Sequence, residues 1–241
     1  MPSRLDPAAI KAYYSRWWEN PADIRHVVFD RLYEVLGARL RALHLPPGAS
    51  AVDLGAGRGR VTAMLRERGY ATTAVDFSEE FADRLRERFP GTPVECADLA
   101  RWSPSRNYDL ATCINVAQNM EHRDFGALLA RLRPRVGRLL VSISNENSLH
   151  GLYVRLRGFQ APFVVGYTPG DLHRMLGEAG FEAVSEVGVG FITPLSLFRG
   201  FRGVFITPRM AEELKFLDGR FPRRCQEHLV EAVPTSSERQ D

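Results

Sequence analysis

Apolar residues along the chain follow two spacings, one typical of buried strands and the other typical of amphipathic helices. Between residues 51 and 144, short apolar runs alternate with segments in which apolar residues recur every three to four positions. Several of the short runs are apolar nearly throughout, as expected for strands buried on both faces. This alternation predicts an α/β fold, a doubly wound, mostly parallel sheet with helices on both faces and right-handed crossovers.

Glycine, proline and capping residues between these segments set the predicted element boundaries. The predicted strands are Ala51–Leu54, Ala71–Val75, Pro93–Cys96, Leu110–Val116, 137–144, 181–189 and 227–233. The predicted helices are Pro7–Leu43 with a break near Pro21, Val61–Arg68, 79–89, Asp124–Leu132 and 169–180. The last helix has the clearest start, because a threonine cap is followed by proline and then, three residues after the cap, by an aspartate.

Composition narrows the classes of protein that fit this pattern. The chain has 241 residues, a formal net charge of +3 and three cysteines far apart, which predicts one large domain with free thiols. The small and scattered charge argues against a nucleic acid partner. No apolar run approaches the roughly 20 residues of a membrane span. Because the N-terminus also lacks an apolar signal core, the chain is predicted to be cytoplasmic and to bind no membrane.

The stretch AVDLGAGRGR, residues 51–60, places three glycines directly after the first predicted strand. In a parallel sheet such a loop lies at the carboxyl end of the strand, where ligands bind. A nucleoside triphosphate loop would need a lysine and a hydroxyl after its last glycine, but Arg60 and Val61 follow Gly59. A dinucleotide loop would need its third glycine at position 60, which Arg60 occupies. Asp53 at the strand end would repel a pyrophosphate and suits a cofactor that carries an amine and a sulfonium.

Acidic residues also follow the next two predicted strands. Asp76 lies about twenty residues beyond the glycine loop, where a carboxylate can accept hydrogen bonds from both hydroxyls of a ribose. Phe77 beside it can cover an adenine face, and Asp98 with Leu99 follows the third strand, where a side chain can accept from the adenine amino group. A single aspartate after a strand is common in turns. Three at successive strand ends indicate a cofactor that contains adenosine.

Taken in order, the segments AVDLGAGRGR, AVDFS, CADLA, YDLATCINVAQNM and YTPGDLHRMLGEAGFE resemble the class I S-adenosylmethionine-dependent methyltransferases. The resemblance is closest to quinone-biosynthesis enzymes and small-molecule O-methyltransferases, and it implies a seven-stranded sheet with an antiparallel final strand. The aromatic stretch YYSRWWENPADIRHVVFDRL is similar to the helical lid of that family. The implied organisation is a lid at 1–46, a core at 47–233 with substrate-pocket insertions at 145–167 and 192–221, and a flexible tail at 234–241.

The resemblance also assigns cofactor contacts to positions of this sequence. The residues implied to contact S-adenosylmethionine, or its product S-adenosylhomocysteine, are Tyr14, Arg25, Asp53, Gly55, Ala56, Gly57, Asp76, Phe77, Asp98, Leu99, Asn115 and Val116. The first two would reach the cofactor carboxylate from the lid, and the last two would lie beside the sulfonium. Paired carboxylates typical of a magnesium site are not evident in the sequence, so no metal is predicted.

Methyl transfer often requires removal of a proton from the acceptor, and a histidine is the first candidate for that base. His122 follows the fourth predicted strand and His150 follows the fifth, so both are candidate catalytic residues. Many relatives carry a histidine directly after a glutamine in the fourth-strand loop, whereas this chain has Gln-Asn at 118–119. That departure leaves the assignment of the base open, with Glu146 and Tyr153 as alternatives.

These features predict a methyltransferase with a small-molecule acceptor, and they favour O-methylation of a quinone-like or natural-product metabolite. Aromatic residues in the lid and in both insertions favour an apolar or aromatic acceptor pocket. Two alternatives stay open. One is an NAD(P)-dependent oxidoreductase, against which Arg60 and Asp53 argue, and the other is a non-catalytic S-adenosylmethionine-binding regulatory protein. The sequence leaves the oligomeric state undecided, with a homodimer as one option.

Overall fold

The computed structural model describes residues 25–156, 165–191 and 215–235. The first helical piece of the predicted lid, which contains Tyr14, lies outside the described residues, as does much of both predicted insertions. The predicted division into lid, core and tail therefore stays a prediction, while the seven strands of the sheet lie within the described residues.

Seven strands form one sheet. They are β1 (Ser50–Leu54), β2 (Ala71–Asp76), β3 (Val94–Cys96), β4 (Leu110–Cys113), β5 (Leu139–Ser144), β6 (Phe181–Val189) and β7 (Glu227–Pro234). Their order in the sheet is β3-β2-β1-β4-β5-β7-β6. Strands β1 to β5 pair in parallel, and β7 is inserted antiparallel between β5 and β6. The predicted doubly wound, mostly parallel sheet with an antiparallel final strand is confirmed.

Helices pack on both faces of this sheet. They are α1 (Arg25–Ala42), α2 (Arg60–Arg66), α3 (Glu79–Arg88), α4 (His122–Leu132), α5 (Leu149–Leu156) and α6 (Pro169–Glu178). On one face, Leu36 of α1 and Leu65 of α2 share a core with Leu110 of β4. On the other, Phe125 of α4 shares a core with Ala111, the next residue of the same strand. Burial on both faces explains why the central strands are continuously apolar. None of the described helices is long and apolar enough to cross a bilayer.

The structure differs from the sequence-based prediction after the fourth strand and after the fifth. The fourth strand was predicted to reach Val116, but β4 ends at Cys113. It ends there because Asn115 adopts a φ of +59°, which lies outside the range of extended backbone. Residues 145–167 were predicted as an insertion, with no helix assigned to them, and they contain α5. An eight-residue helix is too short for its apolar spacing to stand out in the sequence.

Candidate functional site

A cavity of about 900 Å³ lies at the carboxyl ends of β1, β2 and β4. The order of the strands reverses between β1 and β4, so the loops that follow these strands diverge and leave a crevice. The cavity is lined by every predicted cofactor residue whose side chain is described, namely Asp53, Gly55, Ala56, Gly57, Asp76, Phe77, Asp98, Leu99, Asn115 and Val116. Arg25 is the first residue of α1, but its side chain lies outside the described part of the chain, as does all of Tyr14.

Two residues of the glycine loop adopt backbone conformations that favour glycine. Gly55 has a φ of +69° and Gly57 a φ of +51°, both in the left-handed region. A Cβ at Gly55 would overlap Cγ2 of Val116, whereas the atom nearest to a Cβ at Gly57 would be a carbonyl oxygen 3.9 Å away. Gly55 is therefore required for packing of this loop against the loop after β4, and Gly57 leaves open space at the cavity wall.

Replacing Gly57 with alanine should weaken ligand binding with a modest loss of stability. The new methyl group overlaps no described atom, so the expected cost in unfolding free energy is the strain of the left-handed conformation, about 1–2 kcal/mol. Gly55→Ala should cost at least about 2 kcal/mol more, because its methyl group overlaps Val116. Thermal unfolding of both variants, with calorimetric titration of S-adenosylhomocysteine, measures the two effects. A Gly57→Ala protein with the full affinity of the parent would contradict the assignment of this residue to the ligand site.

Asp76 at the end of β2 connects the glycine loop to the start of α3. Its Oδ2 accepts a hydrogen bond from the backbone N–H of Gly57 at 2.7 Å, and its Oδ1 accepts one from the N–H of Ser78 at 2.9 Å. The residue is only 4% exposed, and this burial raises the pKa of its carboxyl group. Because a carboxylate offers about four lone-pair sites, Asp76 can accept further hydrogen bonds from a ligand in the cavity.

Asp53 is held in place by two threonines from neighbouring elements. Thr62 of α2 donates its hydroxyl to Oδ2 at 2.6 Å, and Thr112 of β4 donates its hydroxyl to Oδ1 at 3.0 Å. Desolvation raises the pKa of Asp53 to about 6, against which both of these hydrogen bonds act. The carboxylate is therefore still mostly ionised at neutral pH, and it contributes negative charge to the wall of the cavity.

The part of the cavity next to β2 and β3 combines an exposed ring with an ordered turn. Phe77 is 42% exposed, so one face of its ring is available to stack on a flat ring system. In the turn after β3, Oδ1 of Asp98 accepts a hydrogen bond from the N–H of Ala100 at 2.9 Å. This bond orients the Asp98 side chain beside the buried Leu99, and both residues line the cavity.

Tyr33 and Arg60 also line the cavity, although the sequence analysis did not assign them to the site. The guanidinium carbon of Arg60 lies 4.0 Å from the centroid of the Tyr33 ring, and Nη1 of the same arginine pairs with Asp30 at 2.8 Å. Burial raises the pKa of Tyr33 to about 12, so its phenol keeps its proton at neutral pH. Phe29, one helical turn earlier, lines the cavity too. Residues 29 and 33 are four positions apart and so lie on the same face of one helix, and this spacing could have indicated from the sequence that both side chains face the cavity.

The two predicted catalytic histidines are not among the described residues that line the cavity. His122 is the first residue of α4, and its Nε2 lies 2.8 Å from the carbonyl oxygen of Gly166, within hydrogen-bond distance. His150 lies in the first turn of α5. Near the start of α4, the acidic side chains that do line the cavity belong to Glu121 and Asp124.

The fold and the cavity together define an α/β protein with a ligand site at the switch point of a parallel sheet. Residues 51–136, which contain the glycine loop and most of the residues that line the cavity, match the Methyltransferase domain family. This match and this sheet order support the resemblance to the class I S-adenosylmethionine-dependent methyltransferases that was identified in the sequence.

Relatives of known identity share a segment of the sequence or the fold. Trans-aconitate 2-methyltransferase of Acidovorax ebreus is 33% identical over 93 residues, which are 38% of this chain and 36% of that protein. The chain thus spans about a third or less of the length of the curated relatives that it matches.

Solved structures are similar over most of the chain at low sequence identity. Magnesium protoporphyrin IX methyltransferase from Synechocystis, with bound S-adenosylhomocysteine, has a TM-score of 0.65 and 18% identity and covers 93% of this chain and 94% of its own. The 1,6-didemethyltoxoflavin-N1-methyltransferase from Burkholderia thailandensis has a TM-score of 0.59 and 18% identity and covers 98% of this chain and 93% of its own. At this identity, the likeness establishes a shared fold.

Proposed function

We propose that the protein is an S-adenosylmethionine-dependent methyltransferase that acts on a small molecule. The observation that carries this proposal is the convergence of Asp53, Asp76 and Asp98, which follow or end three different strands, on one cavity beside the glycine loop. Negative charge at this wall suits a nucleoside whose far end bears an amine and a sulfonium, and it disfavours a pyrophosphate.

The residues that line the cavity fit the parts of this cofactor. Asp76 has lone pairs left for two ribose hydroxyls, and Phe77 offers an exposed ring face to the adenine. Asp98 and Leu99 would meet the edge of the adenine. The left-handed turn at Asn115 brings the loop after β4 to the cavity, where the sulfonium end would lie.

The alternative of an NAD(P)-dependent oxidoreductase is supported by arginines that line the cavity, which could meet a pyrophosphate. Two of them have other partners, because Arg60 pairs with Asp30 and Nη1 of Arg88 donates to the carbonyl oxygen of Arg58 at 2.8 Å. The ionised Asp53 adds repulsion between the glycine loop and a diphosphate. We therefore favour the sulfonium cofactor over a dinucleotide.

S-adenosylmethionine, when bound, supplies a methyl carbon that is already activated by its positively charged sulfur. The protein then has to align the acceptor with that carbon, exclude water and, for a protonated acceptor, remove a proton. Phe29 and Tyr33 of α1 line the cavity from the side of the predicted lid and would exclude water there. The partly buried phenol of Tyr33, protonated at neutral pH, can donate a hydrogen bond to the acceptor or to the cofactor carboxylate.

Replacing His150 with alanine should lower kcat by about 100-fold or more if this residue is the general base. Affinity for S-adenosylhomocysteine should stay unchanged, because His150 does not line the described cavity. His122→Ala is the matched comparison, since both histidines were predicted from loops that follow neighbouring strands. A fully active His150→Ala protein would remove this residue from the mechanism, and Glu121→Gln, at the cavity wall, would then be the next variant to assay.

For the acceptor, we favour O-methylation of a quinone-like or natural-product metabolite, which rests on the resemblance in the sequence. The relatives are named for different acceptors, including trans-aconitate, magnesium protoporphyrin IX and the N1 position of 1,6-didemethyltoxoflavin. They all support a small-molecule acceptor, and the attacking atom needs its own assay.

Isothermal titration of the purified chain with S-adenosylhomocysteine, NADH and ATP tests the cofactor assignment. We expect binding of the first ligand only. Binding of NADH or ATP without S-adenosylhomocysteine would overturn the proposal in favour of another nucleotide-binding function. A panel of phenol, carboxylate and amine acceptors, assayed by release of S-adenosylhomocysteine, tests catalysis. Cofactor binding without turnover of any acceptor class would favour the non-catalytic binding protein.

A further inference from the structure

Two histidines and a glutamate converge on the sheet face covered by α6, outside the cofactor cavity. His173 lies on α6, Glu186 on β6 and His228 on β7. Nε2 of His173 lies 2.6 Å from Oε2 of Glu186, and Nε2 of His228 lies 3.3 Å from the same oxygen. One ligand atom from each of the three residues lies within 4.8 Å of the others. None of the three lines the cofactor cavity, so the cluster is a separate feature of the molecule.

The register of the edge strands explains why these side chains meet. In the antiparallel pair of β6 and β7, Glu186 lies opposite Val230 and His228 lies opposite Gly188. Glu186 and His228 are therefore diagonal neighbours on one face of the sheet. His173 reaches the same face from α6, whose first turn is held by a capping box. The three positions are thus set by elements with little freedom to move apart.

His228 gives a second and independent indication of a ligand. The residue is fully buried, and neither of its ring nitrogens meets hydrogen-bond geometry with a described residue, although the side chain of Glu186 and the backbone of Pro222 lie close to it. Although Nε2 lies near Glu186, the contact lacks hydrogen-bond geometry. Buried polar atoms are nearly always paired, and leaving one unpaired costs about 1–3 kcal/mol. A cation coordinated at one of these nitrogens would satisfy it.

Glu186 is oriented in a way that suits a metal ligand. Its Oε1 faces Nη2 of Arg223 at 3.5 Å, while its Oε2 faces both histidines. Arg223 is largely exposed, so it can hold one carboxylate oxygen from the solvent side without closing the site. A ligating carboxylate that is itself held by an outer partner is a common arrangement in metal sites.

We propose that His173, Glu186 and His228 bind a divalent transition-metal ion of the Zn²⁺ type. Two imidazole nitrogens and one carboxylate oxygen form a ligand set that zinc accepts, whereas magnesium and calcium prefer oxygen ligands throughout. Tetrahedral zinc places neighbouring ligand atoms roughly 3.3 Å apart, as Nε2 of His228 and Oε2 of Glu186 already are. His173, whose side chain is 33% exposed, now lies closer to Glu186, at 2.6 Å, and would have to move away from Oε2 to bind the same ion. The ion would cross-link α6 to both edge strands.

Zinc uptake by the full chain tests the site directly. After treatment with EDTA and removal of the chelator, titration with ZnCl₂ should show one tightly bound zinc per chain, and the unfolding temperature should rise with added zinc. Replacement by Co²⁺ should give the visible absorption bands of a four-coordinate ion. Absence of stoichiometric zinc binding would overturn the proposal. No methyl acceptor or cofactor enters this experiment, so its outcome is independent of the proposed function.

Two variants and one control assign the binding to these residues. His173→Ala and Glu186→Gln should each weaken zinc binding by about 100-fold or more, since even the loss of an outer partner costs 10- to 100-fold. Because neither residue is fully buried, both variants should fold, which far-UV circular dichroism checks. His44→Asn alters an exposed histidine elsewhere on the surface and should keep full affinity. Unchanged zinc affinity in both cluster variants would show that the ion binds at another place.

Discussion

Replacing Asp76 with alanine should lower the affinity of the protein for S-adenosylhomocysteine by about 100-fold or more. The buried carboxylate lines the cavity, and in our proposal it accepts both ribose hydroxyls. Two hydrogen bonds to a charged acceptor, each worth about 1.5–3 kcal/mol, correspond to a factor of about 10² to 10⁴ in affinity. Calorimetric titration of the folded variant measures this loss.

The same substitution should also destabilise the loop, because the N–H groups of Gly57 and Ser78 lose their acceptor. Asp76→Asn separates the two effects, since the amide keeps one acceptor oxygen and should show an intermediate affinity. Asp83→Ala is the control on the exposed side of α3, where this aspartate pairs with Arg86, and it should bind normally. A folded Asp76→Ala protein with unchanged affinity would mean that the cofactor is held elsewhere.

Replacing Glu227 with glutamine should remove a loss of stability that the parent protein shows as the pH rises towards 8. Glu227 is fully buried at the start of β7, where Ser144 donates its hydroxyl to Oε1 at 2.9 Å. Its Oε2 has no hydrogen-bond partner within the described part of the chain. Desolvation therefore raises the pKa of Glu227 from 4.5 to about 8, and the neutral acid is the form that suits the fold.

The sign of this effect follows from proton linkage. Between pH 4.5 and about 8, folded Glu227 holds a proton that the unfolded chain has released. The stability from this group is complete below pH 4.5 and is lost as the pH rises through that window, at up to about 1.4 kcal/mol per pH unit. Asp53, whose pKa is raised to about 6, contributes a slope of the same sign at lower pH. Burial lowers the pKa of His228, which adds a slope of the opposite sign up to about pH 6.5, so the difference between the parent and Glu227→Gln, and not the slope of the parent alone, reports Glu227.

Chemical denaturation across the range from pH 6.5 to 8, for the parent and for Glu227→Gln, measures the difference in slope. We expect the unfolding free energy of the variant to change much less between pH 6.5 and 8 than that of the parent. Glu182→Gln, at an exposed position of β6, should keep the slope of the parent. Equal slopes in the parent and in Glu227→Gln would contradict a neutral, buried Glu227.

The sequence predicted the sheet and a set of residues that line one cavity, because both depend on local features. The spacing of apolar residues in a strand or a helix can be recognised over a few positions. A turn that needs positive φ can be recognised because glycine occupies it, as at Gly55 and Gly57. The acidic residues Asp53, Asp76 and Asp98 could be brought together from the sequence alone, since the carboxyl ends of neighbouring parallel strands lie at one edge of the sheet. The fold and the residues that line the cavity could therefore be predicted without knowing how distant segments pack.

Side chains that depend on the packing of distant segments were decided by the tertiary structure. The pairing of Tyr33 with Arg60 depends on how α1 lies against the glycine loop. The insertion of β7 between β5 and β6 buries Glu227 and brings His228 to Glu186 and to His173 of α6. The spacing of residues along the sequence does not predict these contacts. They depend on burial and on the angle between packed elements, which are set by the packing of the whole core and not by local preferences of the chain.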